Sequence, residues 1–317
     1  MSTLQPATQK RYGEALLFLK TEVDQRCIAF NKLTESEQDW WLAEWILEGY
    51  HGEQSKAVFA ACLSALSKIN PRCRYKVAWR VLDTWSVLEP VTQAPAAPAE
   101  MVYAMATLAV SLGRFSVGMA IMLCFCGLLR ASEAIMLTID NVIITSAHVV
   151  LVLGVTKRGI EEKVVLTHPT VISWCKWFSS VRTSKKSNDR WLSVSYTTFN
   201  KWVKLLPNLL GFDSLKLTTH SLRRSGASAL LATGLPFSDV LLFGRWHTER
   251  AAREYIRRGE VAITKAKSQM DTTLWQRVLN WSAFAVTVWK VAPVCSNLST
   301  VKVTSDVVGK LEGIFFH

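Results

Sequence analysis

The sequence predicts a mainly α-helical protein with one small β-sheet, an α+β fold, arranged in two domains. Apolar residues recur at helical spacing through residues 10–90 and again after residue 99, whereas residues 143–166 depart from that spacing, with the apolar run HVVLVLGV, a break at 156–159 and then EEKVVL. A proline-rich segment separates the two helical regions. The length of 317 residues fits two domains of ordinary size, and half of the residues are apolar, enough to form a core in each.

Helices are predicted for most of residues 10–90. Thr34, with a glutamate three residues later, has the pattern of a capping box. The helix that follows places Trp40 and Trp45 among its apolar residues. Three prolines between residues 90 and 98 then predict an extended linker between the domains.

The second domain is predicted to begin with two helices, at about 99–112 and 116–129. The second of these is almost wholly apolar, but it is too short to span a bilayer and is therefore predicted as a buried core helix. A β-hairpin or small sheet should follow over residues 143–166. Further helices are predicted at 169–183, 195–206, 220–233, 236–244, from Thr248 to about 258, and around 274–289.

Basic charge is concentrated in one part of the chain. The formal net charge is +12, and residues 155–270 alone carry 20 Lys and Arg against 8 Asp and Glu. The rest of the chain is nearly balanced. A basic excess of this size indicates a polyanionic partner, and its coincidence with the motifs described next favours nucleic acid over a solvated lysine-rich face.

The cysteines and the N-terminus give weaker indications of the protein's location. The seven cysteines are scattered and form no C-x-x-C pattern, which argues against a disulfide framework or a zinc site and favours a reducing compartment. The first residues lack the pattern of a signal peptide. An intracellular protein without a membrane partner is the expectation.

Four short motifs carry the candidate chemistry, and they occur in one order. They contain Arg130 and Glu133, then Lys157, then His220 and Arg223, and finally Trp246 and Tyr255. Fixed cations stabilise the charge that develops on a phosphodiester when a hydroxyl attacks it. Arginine suits this task because its planar fork binds two oxygens and stays charged. His220 and Arg223, three residues apart, should face the same side of a helix.

This order of motifs resembles the catalytic domain of the tyrosine recombinases, the phage-integrase family. The nine-residue step from Trp246 to Tyr255 is similar to that family's step to its nucleophile, and the predicted hairpin with Lys157 falls where the family has one. The motif sequences H-S-L-R-R-S-G-A and G-R-W look closest to those of the DIRS-like and Crypton-like recombinases of eukaryotic mobile elements. For a eukaryotic source, that kinship implies a nuclear location.

The resemblance implies a site-specific DNA recombinase or integrase that works through a 3′-phosphotyrosine intermediate without metal, nucleotide or other cofactor. Tyr255 would be the nucleophile. Lys157, on the hairpin, would protonate the leaving 5′ oxygen, with Lys163 as the alternative. His220 would act as general acid and base, helping to take the tyrosine proton.

The remaining motif residues would hold the phosphate. The resemblance implies that Arg130 and Arg223 bind its non-bridging oxygens, that Trp246 donates its indole N–H to it, and that Glu133 orients its neighbours. Two alternatives stay open at this stage. Arg224 duplicates Arg223 in type but lacks its three-residue spacing from His220, and His247 is a second candidate for the role of Trp246.

The resemblance also divides the chain and names its partners. It implies a helical core-binding domain that clamps DNA at 1–90, a linker at 91–98, a catalytic domain at 99–270 and a tail at 271–317. Double-stranded DNA is the expected partner, bound by a homotetramer on two duplexes. Candidate DNA contacts are Lys185, Lys186, Arg190, Lys201 and Lys204.

Two matters are left open. The helix around Leu274 either passes to a neighbouring protomer or packs on its own catalytic domain. Beside an active recombinase, the sequence allows a DNA-binding protein of this fold that does not cut, and a type IB topoisomerase-like activity.

Overall fold

The computed structural model describes two compact units, Met1–Gln93 and Ala94–His317. The residues it describes are 6–89, 95–155, 161–182, 186, 188–246, 248–249, 252–253, 256, 263 and 271–286. Within these ranges the chain is mainly helical with one small antiparallel sheet, so the predicted fold class is confirmed. No helix among them is both long enough and apolar enough to cross a membrane.

The first unit is a helical bundle with an aromatic core. Its helices are α1 (Pro6–Gln25), α2 (Glu35–His51), α3 (Lys56–Ile69) and α4 (Lys76–Leu88). α1 packs against α3, and α2 packs against α4. At the centre, the Phe59 ring lies 4.6 Å from that of Trp45 and 5.8 Å from that of Trp85.

Polar contacts fix the start of two of these helices. The capping box predicted at Thr34 is confirmed, because Thr34 Oγ1 accepts from the Glu37 N–H and the Glu37 carboxylate accepts from the Thr34 N–H. Asp39 is buried on α2, and its two oxygens each accept a backbone N–H at 2.9 Å, from Val77 and Ala78 at the start of α4. This carboxylate therefore ties α2 to α4.

Not all of the apolar residues of α2 face its core. Trp40 is 59% exposed, whereas Leu42 and Ile46 are fully buried. Successive helical residues turn by about 100°, so three consecutive apolar residues cannot all face one core. The buried face of α2 follows Leu42, and Trp40, two positions earlier, points to the opposite side.

The described end of the proline-rich segment, residues 95–98, belongs to the second unit. Ala96 and Ala97 are fully buried, and the Ala97 N–H donates to Ser225 Oγ at 2.7 Å. Small side chains fit this position because the segment passes directly over a buried part of the second unit.

The second unit surrounds a nearly all-apolar helix. Its helices are α5 (Ala99–Ser111), α6 (Phe115–Cys126), α7 (Ala131–Met136), α8 (Pro169–Val181), α9 (Tyr196–Leu209), α10 (Thr219–Ala232), α11 (Phe237–Gly244) and α12 (Thr272–Phe284). α6 contacts α5, α8 and α10, and most of its residues are buried, as predicted. The prediction that α6 continues to residue 129 is wrong, because Leu128 adopts a left-handed backbone with φ 46°.

The sheet has three antiparallel strands in the order β1 (Val142–Ile144), β2 (Val149–Val155) and β3 (Glu161–Leu166). Val149 pairs with Leu166, and the register shifts between Val152 and Val155, where β2 approaches its connection to β3. That connection, residues 156–160, includes Lys157 and lies outside the described residues.

Helix α12 packs on α5 of its own chain. Val278 is fully buried there, and the Trp174 indole N–H donates to the Ala285 carbonyl at 2.7 Å. Of the two arrangements left open by the sequence, the single chain adopts the one in which this helix packs on its own second unit.

Candidate active site

A tight turn after α6 builds the floor of the candidate site. Leu128 is fully buried despite its left-handed backbone. Its carbonyl oxygen accepts from Arg223 Nη1 at 2.6 Å and from Arg245 Nη2 at 3.4 Å. A non-glycine residue held in this conformation stores strain, which is common where a functional site needs one particular carbonyl direction.

Glu133 connects the charged groups above this floor. Its carboxylate accepts the Arg130 backbone N–H at 2.8 Å, at the start of α7, and pairs with Arg130 Nη1 at 2.5 Å. The same carboxylate lies 2.6 Å from Arg245 Nη2 and 3.9 Å from Arg223 Nη1. One acid therefore contacts three guanidinium groups.

Arg223 is almost fully buried, at 4% exposure. Beyond its bond to Leu128, its Nη2 donates to the Gly244 carbonyl at the end of α11. Its guanidinium carbon lies 4.8 Å from the centre of the Trp246 ring, a cation–π contact. These contacts fix the guanidinium plane, so its direction is set before any ligand binds.

Trp246 is held by the residues just before it. A Cβ added at Gly244 would overlap the Trp246 ring, coming within 2.6 Å of its Cη2 atom. The backbone N–H of Trp246 donates to the Leu241 carbonyl at 3.1 Å. Glycine at position 244 is therefore what allows the indole to pack back on the end of α11, beside Arg223.

His220 lies in the first turn of α10, one turn before Arg223. Thr218 and Ser221 form a capping box that starts this helix. His220 is exposed as a whole residue, but partial desolvation of its ring lowers its pKa, and the positive charges of Arg223, Arg224 and Arg130 lower it further. A neutral imidazole beside the arginines is the form that can accept a proton.

We expect His220 to titrate below the usual histidine pKa of about 6.5 in the free protein. An NMR titration measures this, with the resonance assigned by its loss in His220→Gln. Because the folded pKa is lowered, the unfolded chain binds the proton first as the pH falls. Stability from this group is therefore present above pH 6.5 and is lost as the pH falls toward the folded pKa. A midpoint at or above that of the urea-unfolded protein would contradict the lowered pKa.

The sequence profile of the Phage integrase family matches residues 98–260, which contain all of the residues just described. The chain belongs to the phage integrase family. The predicted family membership is therefore confirmed. No curated protein sequence matches the chain.

Several solved structures share the fold of this protein. XerH site-specific recombinase bound to difH substrate, in a pre-cleavage complex, is 17% identical over 83% of this chain and 79% of that chain, with a TM-score of 0.52. The integrase of transposon Tn1549 in complex with circular intermediate DNA is 14% identical over 85% and 95%, with a TM-score of 0.59. A lambda integrase dimer bound to a COC′ core site is 13% identical over 80% and 90%, with a TM-score of 0.51.

The structure thus brings part of the predicted constellation together. Arg130, Glu133, Arg223 and Trp246 are joined by the contacts above, and His220 is within electrostatic reach of the arginines. Lys157, Lys185, His247 and Tyr255 lie outside the described residues.

The alternatives and the remaining DNA candidates lie as follows. Lys163 is exposed on β3, opposite Val152, and Arg224 is buried beside Arg223. The other DNA candidates that the structure describes are exposed: Lys186, Arg190, Lys201 and Lys204. Arg190 also donates through Nη1 to the Met136 carbonyl at the end of α7.

Two charged residues that join this cluster were not identified from the sequence. Arg245 stands within the G-R-W motif but received no role, and Glu162 was not considered. Arg245 Nε lies 3.1 Å from Glu162 Oε2. A signal for Glu162 was available, because it alternates with the buried residues Val164 and Leu166 on β3. An acid on the buried face of a strand indicates an ion pair.

Proposed function

We propose that the protein is a site-specific DNA recombinase that cuts and rejoins strands through a 3′-phosphotyrosine bond. The observation that carries the proposal is the pair of arginines, Arg130 and Arg223, positioned by one carboxylate inside a phage integrase family domain. Two fixed guanidinium groups next to a neutral histidine suit a phosphodiester that gains charge as it is attacked.

Strand cleavage would exchange one phosphate ester bond for another. The Tyr255 oxygen forms a bond to phosphorus, and the bond from phosphorus to the 5′ oxygen breaks. His220 takes the tyrosine proton, and Lys157 gives a proton to the leaving 5′ oxygen. Rejoining reverses each transfer, with a 5′ hydroxyl attacking the phosphotyrosine. Arg130, Arg223 and the Trp246 indole N–H would hold the non-bridging oxygens throughout.

DNA binding is proposed from charge and from the relatives. Exposed Lys201 and Lys204 lie on one side of α9, opposite buried Phe199 and Val203. They belong to the segment that carries the whole net positive charge of the chain. The solved structures of XerH, the Tn1549 integrase and lambda integrase are complexes with DNA. We therefore place the duplex against α9, with Lys185, Lys186 and Arg190 as further phosphate contacts and the first unit as a second DNA-binding domain.

Assembly on DNA is proposed as a homotetramer on two duplexes. Helix α12 packs on α5 of its own chain. Contacts between protomers would therefore come either from the residues after α12 or from α12 itself once it leaves α5. Truncation after residue 270 tests this, because unchanged assembly on DNA would exclude any role for the tail. A nuclear location stays a prediction.

The decisive experiment is a trap for the covalent intermediate. Wild-type protein is incubated with a library of nicked duplexes of randomised sequence. The nick leaves a short fragment with a 5′ hydroxyl after cleavage, and religation is prevented because this fragment diffuses away. We expect a protease-resistant protein–DNA adduct for wild type and none for Tyr255→Phe, which lacks the attacking oxygen. Sequencing the trapped duplexes gives the site.

The matched control is Tyr12→Phe, the same change on α1, which should leave the adduct intact. DNA binding by Tyr255→Phe should weaken steeply with added salt, because phosphate contacts release counterions. Salt-sensitive binding without an adduct from wild type would favour a DNA-binding protein that does not cut. Relaxation of supercoiled DNA without a specific site would favour a topoisomerase-like activity.

A further inference from the structure

Arg245 occupies an unusual backbone position directly after α11. Its φ is 57°, in the left-handed region that helix ends usually fill with glycine or asparagine. Arginine carries a conformational cost here, and nothing in capping a helix requires its long charged side chain. What the side chain contacts should therefore explain its presence.

The Arg245 guanidinium joins two carboxylates from different elements. Nη2 lies 2.6 Å from Glu133 Oε2, and Nε lies 3.1 Å from Glu162 Oε2. The three side chains are only 8%, 12% and 12% exposed, in the order Arg245, Glu133, Glu162. Because the three side chains are largely buried, solvent screens the two ion pairs only weakly. The planar guanidinium of Arg245 fixes the distance between the two carboxylates.

This bridge links the two halves of the proposed chemistry. Glu133 holds Arg130, the proposed phosphate ligand, at 2.5 Å. Glu162 is the second residue of β3, so only Glu161 separates it from the 156–160 connection that contains Lys157. The base of that connection is therefore fastened to the carboxylate that sets the phosphate-binding arginines.

We propose that Arg245 is a positioning residue that locks the β2–β3 hairpin, through Glu162, to the phosphate-binding arginines. Its effect is to place Lys157 so that it can protonate the leaving 5′ oxygen. This inference rests on the proposed function and adds to it the group that couples the general acid to the phosphate site.

The test uses Glu162→Gln, which keeps the shape of the side chain and removes the charge that Arg245 binds. Two duplexes of the trapped sequence are compared. One is ordinary DNA, and the other has sulfur in place of the bridging 5′ oxygen. A thiol is far more acidic than an alcohol, the cysteine thiol having a pKa of about 8.5, so a thiolate can leave without a proton from Lys157.

On ordinary DNA we expect Glu162→Gln to form the adduct about 10²-fold more slowly than wild type, the cost of a misplaced catalytic group. On the sulfur-bridged duplex its rate should return to within a few-fold of wild type, as it should for Lys157→Ala. Arg130→Ala should stay slow on both duplexes, because its loss removes phosphate binding and not proton delivery.

Two further variants control for folding and charge. Glu161→Gln makes the same change on the preceding, exposed residue of β3 and should behave as wild type. Arg245→Lys keeps a charge that reaches one carboxylate but not both, so it should share the defect and its rescue. The double variant with Glu162→Gln should be no slower than either single change.

The outcomes distinguish a failure of the positioning role from a failure of the proposed function. A Glu162→Gln rate equal to wild type on ordinary DNA, or an equal defect on both duplexes, would overturn the positioning role while leaving the recombinase intact. If wild type forms no adduct on both the ordinary and the sulfur-bridged duplex, the proposed function is overturned, and this inference with it.

Discussion

Replacing Arg223 with lysine is expected to slow formation of the covalent adduct by about 10²- to 10³-fold, the usual loss when one preorganised donor to a developing oxyanion is removed. Lysine keeps the positive charge but not the planar fork. It cannot hold the Leu128 and Gly244 carbonyls and stack on Trp246 while also facing a phosphate. The measurement is the single-turnover rate of adduct formation on the trapped duplex.

Two comparisons give this result its meaning. Arg26→Lys makes the same change at an exposed ion-paired arginine of the first unit and should leave the rate unchanged. Chemical unfolding of Arg223→Lys shows whether lost structure contributes, since this side chain is buried. A folded Arg223→Lys protein with the wild-type rate would show that charge alone suffices and that Arg223 does not bind the phosphate as a fork.

Local patterns of polarity identified several helices of both units. Thr34 and Glu37 capped α2 as their spacing indicated, and the apolar run after Ser116 formed the buried helix α6. The i, i+3 spacing of His220 and Arg223 placed both on the first turns of α10, where they share an electrostatic environment. These features depend on residues close in the chain, which is why the sequence alone could predict them.

The features that escaped prediction depend on residues far apart in the chain. The left-handed backbone of Leu128 is held by arginines that follow it by 95 and 117 residues. The buried partner of Arg245 on β3 belongs to a different element of the second unit. Similarly, Trp40 has a helical pattern like its neighbours, and only the packing of α4 on α2 decides which face is buried.

These long-range contacts meet where α10 crosses the end of α6. Leu128 packs there with Ala227, and Arg223 reaches its carbonyl from one turn earlier on α10. The position of the Arg223 guanidinium therefore depends on how closely the two helices approach. Gly226 lies at that contact and makes the dependence testable.

Replacing Gly226 with alanine is expected to destabilise the protein by about 1–3 kcal/mol, the usual cost of overpacking a filled core. The new Cβ would overlap the Phe125 carbonyl oxygen and come within 2.7 Å of Leu128 Cδ2. A backbone oxygen at the end of α6 cannot rotate away, so the helices must separate. That movement would also shift Leu128 relative to Arg223 and slow adduct formation.

The matched control is Gly13→Ala on α1, where an added Cβ meets no atom within 4 Å. There, alanine should stabilise the helix by about 0.5–1 kcal/mol, because glycine loses more backbone entropy on folding. Denaturant unfolding followed by tryptophan fluorescence measures both variants. The change in the free energy of unfolding should have opposite signs in the two variants, because α1 is open at Gly13 whereas α10 touches the backbone of α6 at Gly226. If Gly226→Ala unfolds at the wild-type midpoint, α10 and α6 do not approach this closely, and the fixed position of Arg223 loses its structural explanation.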